Sequence, residues 1–166
     1  VPRLWASRRI AQLTEAIRET GANSGPVAVA ADRTTDPSVA GMVEEIIRLS
    51  TRYGIMTPHT AFLASDGGWM APDEVRRRAI DFFERKAIQT RSGVESVSQS
   101  VNNARLRVQS VLNPANVVFD LNMQPVTFPT VQQVGDCTFY RRGGRWVDSR
   151  FMPEESSVSP GETITF

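Results

Sequence analysis

The chain has 166 residues, of which 40% are hydrophobic and 22% are charged, and its formal net charge is +1. This length fits one domain or two small units, and so small a net charge gives no bulk attraction to nucleic acid or to an anionic membrane. No apolar run approaches the roughly 18–20 residues that span a bilayer. The single Cys137 and the single His59 exclude an internal disulfide and most metal sites built from these residue types, and no cofactor is predicted.

Two amphipathic helices are predicted at the start of the chain. The first covers 3–20, where apolar residues recur at helical spacing and therefore share one face: Ala6, Ile10, Leu13 and Ile17. A connector without an apolar period follows over 21–37. The second helix is capped by Ser38 and ends at Gly54. Because each helix has one apolar face, an αα-hairpin is the simplest way to bury both.

The middle of the chain is predicted to hold one short strand and a long third helix. The run of β-branched, aromatic and aliphatic residues over 60–64, after Pro58, predicts the strand. The helix begins at Pro72 and continues towards Thr90, with a break or kink at Gly93. Valines spaced three and four apart follow over about two and a half heptads, which is too short for a free-standing coiled coil. Together with Ala104, which completes the spacing, they predict a helix docked along its valine seam: Val94, Val97, Val101, Ala104, Val108 and Val111.

The β structure is predicted near the C-terminus. Residues 113–131 contain three prolines among scattered apolar residues, which indicates an irregular or partly ordered linker. The Gly-Gly pair at 143–144 supplies the positive φ angles of a two-residue turn, so 132–152 are predicted to form a β-hairpin. Phe139 and Trp146 are expected on its inner face.

The predicted fold class is therefore α+β, mainly α with a small β part. It consists of an amphipathic helical hairpin, a long third helix and a C-terminal β-hairpin. The predicted organisation is a helical module over 1–112, a linker over 113–131, the hairpin over 132–152 and a mobile tail over 153–166.

Three functional hypotheses follow from the residues that could carry chemistry. A small thiol-dependent hydrolase would use Cys137 and His59, but Cys137 follows Asp136 and has no evident cationic neighbour to activate the thiol, and His59 has no nearby acid. An arginine-rich nucleic-acid-binding module would centre on Arg76-Arg77-Arg78, which interleave with acidic residues as on an ordinary salt-bridged helix. The preferred prediction is a non-catalytic interaction module that binds no nucleic acid.

Four stretches of the chain resemble one bacterial family. VPRLWASRRIAQLTEAIRETG (1–21) and MVEEIIRLSTRYGIMTPHTAFLA (42–64) resemble the region that follows the von Willebrand factor A domain in VIT-plus-VWA proteins, which are relatives of the inter-alpha-trypsin inhibitor heavy chains. RSGVESVSQSVNNARL (91–106) and CTFYRRGGRWVDSR (137–150) also look like features of that family's tail. Family members typically have tyrosine at the position of His59.

The resemblance implies an adhesion-like protein in the bacterial cell envelope or secreted from the cell. The metal site of the A domain uses a D-x-S-x-S loop, which this sequence lacks. The A domain, the VIT domain and any signal peptide would lie upstream of Val1. The expected partners are these upstream domains or another protein. The interaction candidates are Leu4, Trp5, Ile10, Thr57, Pro58, Phe62, Val97, Val101, Val108 and Trp146.

Overall fold

The computed structural model describes residues 2–22, 37–65, 70–83, 93–110, 115–120 and 122–151, with the backbone alone for 21–22. Four α-helices come first and short strands follow, so the fold class is mainly α with a small β part, as predicted. The helices are α1 (Pro2–Ala22), α2 (Pro37–Tyr53), α3 (Pro72–Phe82) and α4 (Gly93–Val108). The strands are β1 (Val118–Phe119), β2 (Pro125–Val126), β3 (Val131–Val134), β4 (Cys137–Arg142) and β5 (Arg145–Asp148).

Parts of several predicted segments lie outside the described residues. These parts are 23–36 of the connector, 84–92 of the third helix, 111–114 and 121 around the linker, and 152–166 at the C-terminus. The third helix is therefore described as two pieces, α3 and α4, and α4 begins at the predicted break.

Helices α1 and α2 pack their apolar faces against each other, which confirms the predicted αα-hairpin. Burying both faces together removes the apolar surface of each helix from water. Arg9 of α1 and Glu45 of α2 form an ion pair at the edge of this interface. The Nε and Nη2 of Arg9 each donate to one carboxylate oxygen of Glu45 at 3.0 Å. The buried residues are Ala6, Ile10, Leu13 and Ile17 of α1 and Val39, Val43, Ile46 and Leu49 of α2.

The segment after α2 is a turn, and the strand predicted over 60–64 is wrong. The hydroxyl oxygens of Thr57 and Thr60 are 3.0 Å apart, and each accepts a hydrogen bond from the backbone N–H of the other residue. A 3₁₀ turn over Ala61–Ala64 follows directly. Because the threonine hydroxyls satisfy the backbone locally, they compete successfully with a strand at this point.

Helix α4 is buried through polar side chains and not through its valines. Val94, Val97 and Val108 are 59%, 55% and 76% exposed, so the prediction of a helix docked along its valine seam is wrong. The other side of the helix carries Ser98 and Asn102, both of which are buried. The buried face of α4 therefore presents side chains that form hydrogen bonds.

Helix α4 packs against α1 and also contacts the backbone of β1. Asn102 accepts from the N–H of Phe119 at 2.8 Å and donates to the carbonyl of the same residue at 2.7 Å. Ser98 Oγ donates to the carbonyl of Asp120 at 2.6 Å. Strand β1 in turn pairs antiparallel with β2. The described part of 113–131 thus contains a small hairpin held by α4, which corrects the linker prediction.

Strands β3, β4 and β5 form a three-stranded antiparallel meander. Gly143 and Gly144 join β4 to β5 with φ angles of +54° and +80°, which confirms the predicted turn. Strand β3 adds a third strand to the hairpin predicted over 132–152.

The face of the sheet turned towards the helices is opposite to the predicted one. Along β4 the buried residues are Thr138, Tyr140 and Arg142, whereas Phe139 is only partly buried. Trp146 on β5 is 38% exposed. Side chains alternate between faces along a strand, so choosing the wrong residue as internal reverses the whole face. The predicted inner pair of Phe139 and Trp146 is therefore wrong.

The inner face of the meander satisfies the end of α2. The last four carbonyl groups of a helix have no partner within that helix. Side chains from β3, β4 and the residue after β5 donate to these carbonyls: Tyr140 to Ser50 and Thr51, Thr138 and Ser149 to Arg52, and Gln133 to Tyr53. The sheet is consequently part of the same packed unit as α2.

The approach of the sheet to α2 also requires a glycine. Gly54 has a φ of +59°, and a Cβ atom added there would lie 2.6 Å from Cγ2 of Thr138. Only glycine accommodates both the left-handed backbone and this contact without strain. Gly54 therefore ends α2 where the sequence predicts and lets the meander pack against it.

Candidate interaction site

A cleft of about 870 Å³ lies between α2, α3 and the meander, which contributes Arg142 at the end of β4 and Ser149 and Arg150 after β5. Its described lining holds six arginines and two acidic residues, so arginine predominates there although the net charge of the chain is +1. The arginines are Arg48, Arg52, Arg76, Arg78, Arg142 and Arg150, and the acids are Glu44 and Asp73. Aliphatic side chains lie among them: Ile47, Leu63, Met70 and Val75.

Three of the lining arginines are held in ion pairs. The pairs are Arg76–Glu44 at 2.9 Å, Arg78–Glu74 at 2.8 Å and Arg150–Asp148 at 2.6 Å. The hydrogen bond from Arg150 is the main reason that the pKa of the Asp148 carboxyl is lowered. The arginine side chains are about half exposed. These pairs therefore orient the guanidinium groups more than they stabilise the fold.

Arg48 and Arg52 differ from those three because neither forms an ion pair within the described part of the chain. They lie one turn apart on α2 and both are exposed. Side chains at this spacing are neighbours on the helix surface. The charge of Arg48 acts on Glu45 and that of Arg52 on Asp148, but the carboxyl pKa values of both are lowered mainly by hydrogen bonds from the other arginines with which they form ion pairs. Arg48 and Arg52 are therefore the part of the described cleft best suited to bind further carboxylates.

Arg142 is fixed in the wall of the cleft by the fold itself. Its side chain is buried, and its Nη1 donates to the carbonyl of Ser65 at 2.5 Å while its Nη2 donates to the carbonyl of Leu63. The guanidinium also lies 5.2 Å from the ring centroid of Tyr140. Arg142 thus connects the meander to the end of the 3₁₀ turn and gives this wall a defined position.

The sequence singled out only part of this site. Arg76-Arg77-Arg78 were identified as the sharpest charge cluster, and the structure places Arg76 and Arg78 in the cleft. Arg48 and Arg52 were missed, although their four-residue spacing on the polar side of α2 was a usable signal. The role of Arg142 had no sequence signal, because the pattern does not show which face of β4 is internal.

The predicted interaction residues do not form one surface. Ile10 and Thr57 are buried inside the chain, and the interaction role of the ten residues stays a prediction. The partly buried ones are Leu4, Pro58, Phe62 and Val101, and the exposed ones are Trp5, Val97, Val108 and Trp146. Thr57, Pro58 and Val108 line a second, smaller pocket, which is separate from the arginine-lined cleft.

Cys137 and His59 have different neighbours. The His59 ring is buried against Phe83, with ring centroids 4.5 Å apart, and edge-on to Phe82 at 5.9 Å. Burial lowers the pKa of His59 to about 4, and the charge of Arg18 contributes to the shift. Cys137 Sγ instead lies 3.3 Å from Nη2 of Arg150. No hydrogen bond or ring contact joins these two residues in the part of the chain that the structure describes.

Metal and membrane features were also sought within the described ranges. No group of three or more histidine, cysteine, aspartate or glutamate side chains there could hold a metal ion. No helix there is both long enough and apolar enough to cross a bilayer.

Comparison of the chain with protein-family models, curated proteins and solved structures finds no match. The resemblance to the region after the A domain of VIT-plus-VWA proteins therefore stays a prediction based on sequence motifs. One of those motifs, Thr57-Pro58-His59-Thr60, has a structural explanation in this chain, because its two threonines close the turn after α2.

Proposed function

We propose that this chain is a non-catalytic interaction module that binds an acidic segment of a protein in the arginine-lined cleft. The observation that carries the proposal is the pair of neighbouring exposed arginines, Arg48 and Arg52, which form no ion pair within the described residues and lie in the cleft with aliphatic side chains. A segment with alternating carboxylates and aliphatic side chains would complement both features. By resemblance, the upstream domains of the same protein are the first place to seek such a segment.

The composition of the cleft favours a protein segment over a nucleic acid. None of its described lining residues is aromatic, whereas single-stranded nucleic acids are usually bound through stacking on aromatic rings. The aliphatic residues of the floor also match apolar side chains better than a sugar-phosphate backbone. Nucleic-acid binding is therefore treated as an outcome that the test must distinguish.

The surroundings of His59 and Cys137 support the non-catalytic part of the proposal. A histidine enclosed by phenylalanine rings stays neutral near pH 7, and it needs contact with a substrate proton to act as a base. The side chains that line the cleft are mainly arginines and aliphatic residues, and they include neither cysteine nor histidine. What the lining offers is charge and apolar surface, which are the means of binding.

The proposal can be tested with a fluorescently labelled peptide of sequence ELEELEELE, added to the full chain and followed by anisotropy. We expect saturable binding that weakens as salt is added, because exposed ion pairs are screened. Replacing both α2 arginines of the cleft, Arg48→Glu with Arg52→Glu, should weaken binding by about tenfold or more at low salt.

The matched control exchanges two exposed arginines outside the cleft, Arg8→Glu with Arg107→Glu, and changes the net charge by the same amount. A peptide in which glutamine replaces glutamate controls for apolar binding. Equal weakening by the two double variants would show a bulk charge effect and contradict the proposal. Tighter binding of a labelled DNA oligonucleotide than of the peptide would also contradict it, in favour of a nucleic-acid partner.

A further inference from the structure

Arg3, in the first turn of α1, is a buried cation that forms no ion pair within the described residues. Its side chain is only 7% exposed. Nη2 donates to the carbonyl of Gly54 at 3.1 Å and to Oδ1 of Asn116 at 3.2 Å. Nε and Nη1 are buried and have no hydrogen-bond partner. Burial accordingly lowers the pKa of Arg3.

Asn116, beside Arg3, is also only half satisfied. Its Oδ1 accepts from the backbone N–H of Met56 at 3.3 Å as well as from Arg3. Its Nδ2 is buried and has no partner. Two neighbouring side chains therefore have donors to spare and no acceptor. Unsatisfied buried polar groups are uncommon in native proteins and call for an explanation.

Both side chains line a pocket of about 500 Å³ between the start of α1, the turn after α2 and the end of α4. The charged residues of its described lining are Arg3 and Arg105, and no acidic residue is among them. Much of the remaining wall is apolar: Ile55, Met56, Pro58, Leu106, Val108 and Val118. None of its lining residues is shared with the arginine-lined cleft.

We propose that this pocket binds a carboxylate group attached to a small aliphatic body. The negative charge would lie beside Arg3 and Arg105, and the carboxylate oxygens would accept from the donors that Arg3 and Asn116 leave unused once these buried groups rotate towards the pocket. A carboxylate suits these donors because arginine forms short, charge-assisted hydrogen bonds with it. The aliphatic body would pack on the apolar wall, where it leaves water.

Two sources could present this chemistry, a free aliphatic acid or the C-terminal carboxylate of a peptide. Both place one negative charge at the Arg3–Asn116 end of the pocket and an aliphatic group against Leu106 and Val108. The site is independent of the acidic segment proposed for the cleft, because the two sites have separate walls and can be disabled separately.

Isothermal titration of the full chain with sodium 4-methylpentanoate tests the proposal, with 4-methylpentanamide as the uncharged control. We expect saturable binding of the acid and none of the amide. Asn116→Asp is the informative variant, since it keeps an oxygen for Met56 and Arg3 and places a carboxylate of the chain itself beside the guanidinium. It should weaken binding of the acid by about tenfold or more and raise the midpoint of thermal unfolding.

Arg3→Met should abolish binding, and Arg8→Met, which changes an exposed arginine of the same helix, should leave it unchanged. If Arg3→Met fails to fold, the acid titration of Asn116→Asp still tests the proposal. A second titration, with an acetylated tripeptide that ends in leucine, distinguishes the two sources. Tighter binding of the tripeptide than of the acid would identify a peptide C-terminus as the ligand. Tighter binding of the acid would identify a free aliphatic acid. Absence of binding to the folded chain, unchanged binding by Asn116→Asp, or tighter binding of inorganic phosphate would each overturn the proposal.

Discussion

The α1–α2 hairpin and helix α4 are both buried, but they are held by opposite kinds of side chain. In the hairpin the buried stripes are aliphatic, and Ile10, Ile17, Val43 and Ile46 are completely enclosed. In α4 the valines face outward, and the buried face carries Ser98 and Asn102. The two regions show that an apolar stripe identifies the buried face of a helix only where the opposing surface is itself apolar.

The difference arises from what each helix meets. Helix α2 presents a second aliphatic stripe to α1, so apolar burial is the available gain for both. Helix α4 packs against α1 partly through polar pairs such as Asn103 and Glu15, and it also contacts the backbone of the short strand β1, whose N–H and carbonyl groups need partners. Leaving those groups unpaired in a buried position would cost more free energy than exposing three valines to water does.

The largest effect is expected from truncation in the aliphatic region. Ile46→Ala should lower the free energy of unfolding by about 2–5 kcal/mol, because it removes a buried side chain and leaves a cavity between α1 and α2. Urea unfolding followed by circular dichroism measures the change. A loss below about 1 kcal/mol would mean that the two helices do not form the core of the fold.

His59 is a titratable side chain buried among aromatic rings, so its burial should make the stability of the chain depend on pH. Its pKa is lowered from 6.5 to about 4 in the folded chain, so between these pH values the unfolded chain binds a proton that the folded chain does not. The stability that this group contributes is full above pH 6.5 and falls as the pH is lowered to about 4. The expected loss is about 3 kcal/mol.

The measurement for His59 is the urea midpoint as a function of pH. His59→Phe should remove this part of the pH dependence, whatever its effect on stability at pH 7. Equal slopes for the two proteins between pH 6.5 and pH 4 would show that the histidine is accessible and titrates normally.

The polar contact of α4 is broken by Asn102→Leu, which nearly preserves side-chain size. The N–H of Phe119 then loses its bond to the Asn102 amide, and we expect a loss of about 1–3 kcal/mol in the free energy of unfolding. A gain in stability would show that α4 is held by apolar packing after all. Hydrogen exchange at the Phe119 amide provides a local readout, since it should become faster in the variant.

The smallest effect is expected on the valine face of α4. Val97→Ser should change the free energy of unfolding by no more than about 0.5 kcal/mol, because Val97 is 55% exposed. Urea unfolding beside Asn102→Leu gives a direct comparison of the two faces of one helix. A larger loss from Val97→Ser than from Asn102→Leu would reverse the orientation of α4.

Several features of the fold were predictable because they depend on local signals. The α1–α2 pairing followed from two matching apolar stripes, the end of α2 from Gly54, and the β4–β5 turn from Gly143 and Gly144. Part of the candidate site was also visible, since Arg76 and Arg78 were singled out by their charge. Arg48 and Arg52 of α2 were missed, because only the run of three consecutive arginines was singled out.

The failures share a physical cause, which is that hydrogen bonds between distant segments leave no period in the sequence. The threonines of the turn after α2 read as strand formers until their mutual bonds are seen. Tyr140 lies inside because its hydroxyl reaches the last carbonyls of α2, 89 and 90 residues earlier in the chain. Asn102 faces inward because β1 lies opposite it.

The sequence by itself determined the mainly helical class, the helical hairpin and the glycine turn, because apolar periodicity and glycine conformation act over a few residues. Only the tertiary structure decided which face of α4 and of β4 is internal, and it alone brought Arg48, Arg52 and Arg142 to one cleft and Arg3 to Asn116. Those placements depend on satisfying backbone and side-chain polar groups across the whole chain, so they are fixed only when all the partners are in position.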